Sequence, residues 1–209
     1  MINLTSILII LSIASFLDCA EKWGLQSDTM IVNLNIADRG WDPKRPDKGV
    51  GWCAETSIQM ALAFYGVEIS QKSINRAGSP SHSDIYMDEI DVALKELSIK
   101  YLPWKGKDKD LDDFFIWIRK MLDSHYPVLC GVKIYPDEKP NWFLDHFFLI
   151  VGYNKKGLLV NTNMKGQRLI SYKQLSSLHH GFSFRNRKNR YFARAITGLK
   201  NPVPTFKIN

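Results

Sequence analysis

The sequence predicts a single α+β domain, helical in its first half and an antiparallel sheet in its second. Three observations carry this. Between about residues 51 and 125 the apolar residues recur at helical spacing. From Pro127 onward they fall into runs of strand length, and Asn154-Lys155-Lys156-Gly157 offers a hairpin turn between two of them. Helices gathered ahead of the strands, rather than alternating with them, argue against a doubly wound parallel sheet. The chain has 209 residues, of which 45% are hydrophobic and 23% charged, enough to bury one substantial core.

The first nineteen residues stand apart. Leu4 to Leu17 is apolar except for serines and one threonine, too short for a spanning helix, which needs about 20 such residues. It fits the hydrophobic region of a signal peptide. Residues 1–19 are therefore expected to be removed, leaving residues 20–209 as one domain in a secreted or periplasmic protein with no integral membrane segment. The cut removes only one charged residue, Asp18, and leaves 28 bases against 20 acids, a net charge of +8. The densest basic run, Arg185 to Arg190, carries no nucleic-acid motif and reads as a solvated face. Nucleic acid is not expected as a partner. With Cys19 gone only Cys53 and Cys130 remain, too few for a disulfide scaffold.

In chain order, MIVNLNI suggests a first strand, and the Pro- and Gly-rich stretch ADRGWDPKRPDKGVG must be loop. The stretch Gly51 to Gly66, GWCAETSIQMALAFYG, is apolar nearly all round, which marks a buried helix with Cys53 in its first turn and Gly66 closing it. A short helical turn and a loop follow. A second helix is expected from about Ser83 to Leu97, with Asp84 as its cap, and IKYLPW is a brief strand. DLDDFFIWIRKMLDSH, acidic at its start and basic towards its end, is a third helix with Leu111, Phe115, Ile118 and Leu122 as its stripe. The strand runs are YPVLCGVKIY, HFFLIVGYN, GLLVNTN, QRLISY and YFARAIT. Cys130 falls inside the first of these, where a buried thiol is the expectation.

A thiol at a helix start sits among unpaired backbone N–H groups at the positive end of the macrodipole, and both favour thiolate. To act as a nucleophile it needs a base, and the base needs a third group to fix its tautomer. Of five histidines, His82 and His125 lie in polar surface stretches, and His179 and His180 follow a short helix. His146 opens an apolar strand, which would hold it in place while leaving it access to solvent. The hairpin returns the chain towards it and delivers Asn161, Thr162 and Asn163. Asn161 and Asn163 point to one face and Thr162 to the other.

GWCAETSIQMALAFYG, then ISQ, PVLCGV and HFFLIVGYNKKGLLVNT, together resemble a papain-like cysteine peptidase. The likeness is closest to compact bacterial members: peptidases that cut double-glycine leaders of bacteriocins, their C39-like relatives, and secreted effector proteases. The resemblance covers roughly Gly51 to Tyr172. It implies a papain-like fold in which Cys53 is the nucleophile, His146 the general base, and Asn161, or else Asn163, the orienter. Thr162 then stands where papain has the Ser of its Asn-Ser pair. Such enzymes place an oxyanion-binding Gln about six residues before the nucleophile. Here Asp47 and Lys48 stand there, and a carboxylate cannot donate to an oxyanion, so Asn35 or Gln26 would have to serve if the Pro-rich loop is an insertion. The expected activity is peptide-bond hydrolysis through a thioester, by a monomer acting on protein or peptide, with no metal or cofactor. The alternatives are a transglutaminase-like acyltransferase using the same three residues, or a binding protein that keeps the fold without the chemistry.

Overall fold

Helix α1, Cys53–Phe64, is built from CAETSIQMALAF, and Ala54, Ile58, Met60, Ala61 and Leu62 on it are all buried. In this computed structural model the described residues are 29–42, 52–106, 111–133, 145–163, 166–176 and 191–200. The expected signal peptide, Gln26, Asp47, Lys48, His179, His180 and the Arg185–Arg190 run lie outside them. Helix α1 ends in a Schellman arrangement. Gly66 takes φ +76°, its N–H bonds Ala63 O, and the Val67 N–H reaches back to Leu62 O.

Helix α2, Gln71–Gly78, is a full element rather than a turn, because Ser70 caps it by accepting the Ser73 N–H at 3.1 Å. Helix α3 runs Met87–Glu96, so it starts about four residues later than expected, and Asp84 is not its cap. Glu89 reaches back to the Tyr86 N–H at 2.8 Å instead. The residues before it are engaged elsewhere. Ser83 O accepts from the Trp52 indole and from Asn75, while the Ile85 N–H donates to Glu55. Helix α4, Leu111–Asp123, buries Phe114, Phe115, Ile118, Met121 and Leu122, close to its expected stripe.

The strands are β1 Val32–Asn33, β2 Ile99–Pro103, β3 Val128–Lys133, β4 Asp145–Tyr153, β5 Gly157–Thr162, β6 Gly166–Ser171 and β7 Ala193–Leu199, with a short helix α5 at Tyr172–Ser176. They form one sheet in the order β2-β7-β3-β4-β5-β6, and β1 pairs with β4. Every pairing is antiparallel. Helix α1 lies against β4, with further contacts to β3 and β5. The fold is thus α+β, and the helix carrying the thiol is pressed onto the strand carrying His146.

One irregularity in the β4–β5 hairpin decides the site. Near the turn Tyr153 faces Leu158 and Gly152 faces Leu159, but further on Ile150 faces Val160 and Leu149 faces Asn161. Val151 is the extra residue of a bulge. A one-residue step exchanges the faces of everything beyond it. Without it His146 would share a face with Asn161 and Asn163. With it, His146 shares a face with Thr162.

Candidate active site

The first turn of α1 leaves its leading N–H groups without partners inside the helix. The Cys53 sulfur lies close to two backbone N–H groups that favour its thiolate, that of Phe147 on β4 and that of Ala54. Phe147 follows His146 directly, so the thiol rests at the opening of the strand that carries the histidine. Burial pushes the Cys53 thiol up to about 12, Glu55 and Asp84 add to the rise, and the two N–H groups offset only part of it. The thiolate-favouring effect of the helix start is outweighed, and the thiol rests protonated.

His146 is 3% exposed, not open to solvent as its place at a strand mouth suggested. Its Nε2 lies 3.2 Å from the Thr162 hydroxyl. Desolvation lowers the imidazole to about 3, so it too rests uncharged.

Asn161 is not beside it. Its side chain donates to Ile36 O at 2.8 Å and accepts from Gln167 at 2.8 Å, on the other face of β5. The expectation that Asn161 lies beside His146 is not met: the side chain there is that of Thr162, and the cause is the bulge at Val151. Asn163 turns towards α1, with its Nδ2 3.5 Å from the Thr56 hydroxyl. Asn35 is exposed at φ +54° and its N–H bonds the Asn33 side chain.

Two acids near the site escaped the sequence reading. Glu55 is fully buried, with Oε1 accepting from Asn75 at 2.8 Å and from the Ile85 N–H at 2.9 Å. Burial raises its carboxyl to about 7. The available signal was a lone acid in an otherwise apolar helix. Burial raises Asp38 to about 6, and the nearby backbone N–H of Thr162 offsets part of the rise. Nothing in the local pattern around Asp38 marks it. Of the other histidines, His82 stacks on Tyr86 with ring centroids 3.5 Å apart, and His125 is exposed. Cys130 is buried and both described cysteines are free. Among the described residues no cluster of His, Cys, Asp and Glu could hold a metal, and no helix is long and apolar enough to cross a membrane.

The family described as Peptidase_C39 like matches residues 32–186. Among solved structures, the chain is similar to a C39-like peptidase from Bacillus anthracis at 13% identity and a TM-score of 0.54, covering 83% of this chain and 100% of that one. It is also similar to the peptidase domain of Streptococcus ComA, a bifunctional ABC transporter of a quorum-sensing pathway. There the identity is 14% and the TM-score 0.52, covering 78% of this chain and 99% of that one. No curated protein matches the sequence.

Proposed function

The chain belongs to the Peptidase_C39 like family and is a cysteine-type peptidase, and on that premise we propose that Cys53, His146 and Thr162 form its catalytic set. One observation carries the reading: the Cys53 sulfur lies close to the N–H of the residue after His146, while the Thr162 hydroxyl meets His146 Nε2. With Nε2 tied to Thr162, Nδ1 is the nitrogen free to exchange a proton with the thiol. The tautomer that does so carries its hydrogen on Nε2 and donates it to the Thr162 hydroxyl.

Because thiol and imidazole both rest uncharged, attack and proton transfer proceed together. The S–H proton passes to His146 as sulfur bonds to the peptide carbonyl, and the Cys53 N–H receives the developing oxyanion. The imidazolium then protonates the leaving amine, the C–N bond breaks, and a thioester remains. Water, deprotonated by His146, attacks the thioester and releases the acid and the thiol. The substrate is a protein or peptide. Export with loss of residues 1–19 belongs to the same proposal, and N-terminal sequencing of the exported protein should begin at Ala20.

Incubation with a peptidyl epoxide and peptide mapping test the site. Cys53 should be alkylated, and both Cys53→Ala and His146→Ala should abolish labelling there. An unlabelled Cys53 in the folded wild-type protein would overturn the reading and leave a binding protein with the fold of a peptidase. A primary amine added to a cleavage reaction separates hydrolysis from acyl transfer, since only transfer gives an amide product.

A further inference from the structure

The oxyanion donor of the proposed mechanism is the Cys53 N–H, and such a donor works best when its peptide plane is fixed before the charge arrives. Cys53 is the first helical residue, so α1 leaves that N–H without a partner inside the helix. The peptide that carries it joins Trp52 to Cys53 at the junction of loop and helix, where Trp52 takes a non-helical ψ of 62°. It is held at its other end. The Trp52 carbonyl accepts both the Thr56 N–H, at 2.9 Å, and the Thr56 hydroxyl, at 2.6 Å. The Trp52 indole donates to Ser83 O at 2.6 Å. Thr56 is itself fully buried, and the Asn163 amide approaches its hydroxyl oxygen at 3.5 Å, leaving the hydroxyl hydrogen to the Trp52 carbonyl. A carbonyl that accepts two bonds is polarised, and the N–H on the far side of the same amide becomes a stronger donor. A buried Ser or Thr can bond the carbonyl four residues earlier simply to satisfy its hydroxyl. Ser57 does this, to Cys53 O at 2.8 Å. The two differ in the peptide they grip: Ser57 takes the one after the nucleophile, Thr56 the one before it.

We infer that Thr56 is a positioning residue of the oxyanion hole: its hydroxyl, through the Trp52 carbonyl, sets the plane and the donor strength of the Cys53 N–H. The inference rests on the proposed catalytic set. It also links the two halves of the site, because Asn163 directly follows Thr162. The residue that meets the base and the residue that meets Thr56 are neighbours in the chain.

Two small reagents, one that passes through an oxyanion and one that does not, test this without a known substrate. With p-nitrophenyl acetate the sulfur adds to the carbonyl carbon, its proton passes to His146, the oxyanion forms and collapses, and nitrophenolate leaves a thioester. With iodoacetamide the sulfur attacks a saturated carbon and iodide leaves, with no oxyanion. Initial rates of both at Cys53, each taken as the difference from Cys53→Ala, give a ratio of acylation to alkylation. Thr56→Val keeps the shape and the backbone bond and loses the hydroxyl. It should lower the ratio about 10-fold, short of the about 10²–10³-fold cost of losing a donor outright. Thr56→Ser keeps the hydroxyl and should restore the ratio. Ser57→Ala removes the same kind of bond one residue on and should leave the ratio unchanged. If Thr56→Val does not fold by thermal melting, Thr56→Ala serves in its place. An undiminished ratio in the folded Thr56→Val protein, a Thr56→Ser ratio as low as that of Thr56→Val, or an equal fall in Ser57→Ala would overturn the inference. Failure of the catalytic set itself shows differently: Cys53 of the wild-type protein would then be acylated no faster than in His146→Ala, whatever stands at position 56.

Discussion

The helical half and the sheet half each bury one titratable side chain beside the thiol, and they treat it in opposite ways. Glu55 is knotted into its surroundings, taking N–H groups from Asn75 on α2 and from Ile85 ahead of α3. Among the described residues His146 has a single hydroxyl contact, at 3.2 Å. A group that must change protonation during a reaction is better served by few bonds, since each fixed donor or acceptor commits it to one state. A group that ties a loop to a helix is better served by many. The contrast marks Glu55 as the pin that keeps the 79–86 loop against α1, and it suits His146 to the proposed role of base.

The largest effect that sharpens this contrast is on activity. Cys53→Ala and His146→Ala should each lower peptidase turnover by at least about 10³-fold, as losing a nucleophile or its base does. Cys53→Ala should leave the melting temperature nearly unchanged. A large loss of stability would assign Cys53 a packing role instead. Thr162→Val should cost less, on the order of 10²-fold in kcat, with little change in melting temperature, because the isosteric methyl fills the same space. Asn161→Leu should do the reverse. It strands the Ile36 carbonyl and the Gln167 amide and should cost about 1–3 kcal/mol of stability. If Asn161→Leu proved the slower enzyme of the two, the faces of β5 would be assigned the wrong way round.

The two buried groups also pull the pH dependence of stability in opposite directions. Glu55 moves from 4.5 to about 7 on folding, so the folded state keeps a proton that the unfolded chain releases. Its contribution is present below pH 4.5 and fades as pH rises to 7, a change of about 3 kcal/mol at 1.36 kcal/mol per unit. His146 moves from 6.5 to about 3, so the folded state gives up a proton that the unfolded chain keeps. Its contribution is present above pH 6.5 and fades as pH falls to 3. Between pH 4.5 and 6.5 the two slopes oppose each other. Denaturant titrations across pH should show Glu55→Gln gaining stability, relative to wild type, as pH rises from 4.5 to 7. His146→Phe should gain relative to wild type as pH falls from 6.5. Parallel curves for all three proteins would mean that neither group is buried in solution.

Much of this was legible in the chain. The apolar stretch from Gly51 to Gly66, the helix-then-strand order and the Asn154–Gly157 turn led to the α+β fold and to the choice of Cys53 and His146 as candidates. What the sequence could not show was the bulge at Val151. Period-2 alternation predicts faces only while the ladder stays in register, and no residue type in FLIVGY marks the step. Gly152 bears on it only in retrospect, since a Cβ there would lie 2.3 Å from Val32 O. The choice of Asn161 over Thr162 followed from that missing residue. Asp38 was hidden for another reason. It comes near the Thr162 N–H across 124 positions of sequence, a juxtaposition that only the placement of β1 on β4 creates.

The smallest effect bears most directly on how the two halves meet at the sulfur. Glu55 adds to the rise of the Cys53 thiol by repulsion between like charges, and it does so only when ionised. Glu55→Gln keeps an oxygen for Asn75 and Ile85 while removing the charge. At pH 5.5 the wild-type carboxyl is already protonated, so variant and wild type should alkylate Cys53 at the same rate. Above pH 8 the wild-type charge is fully present, and the variant should react severalfold faster with iodoacetamide. A ratio that climbs with pH through the Glu55 titration separates charge repulsion from a general loosening of α1, which would raise the rate at both pH values alike.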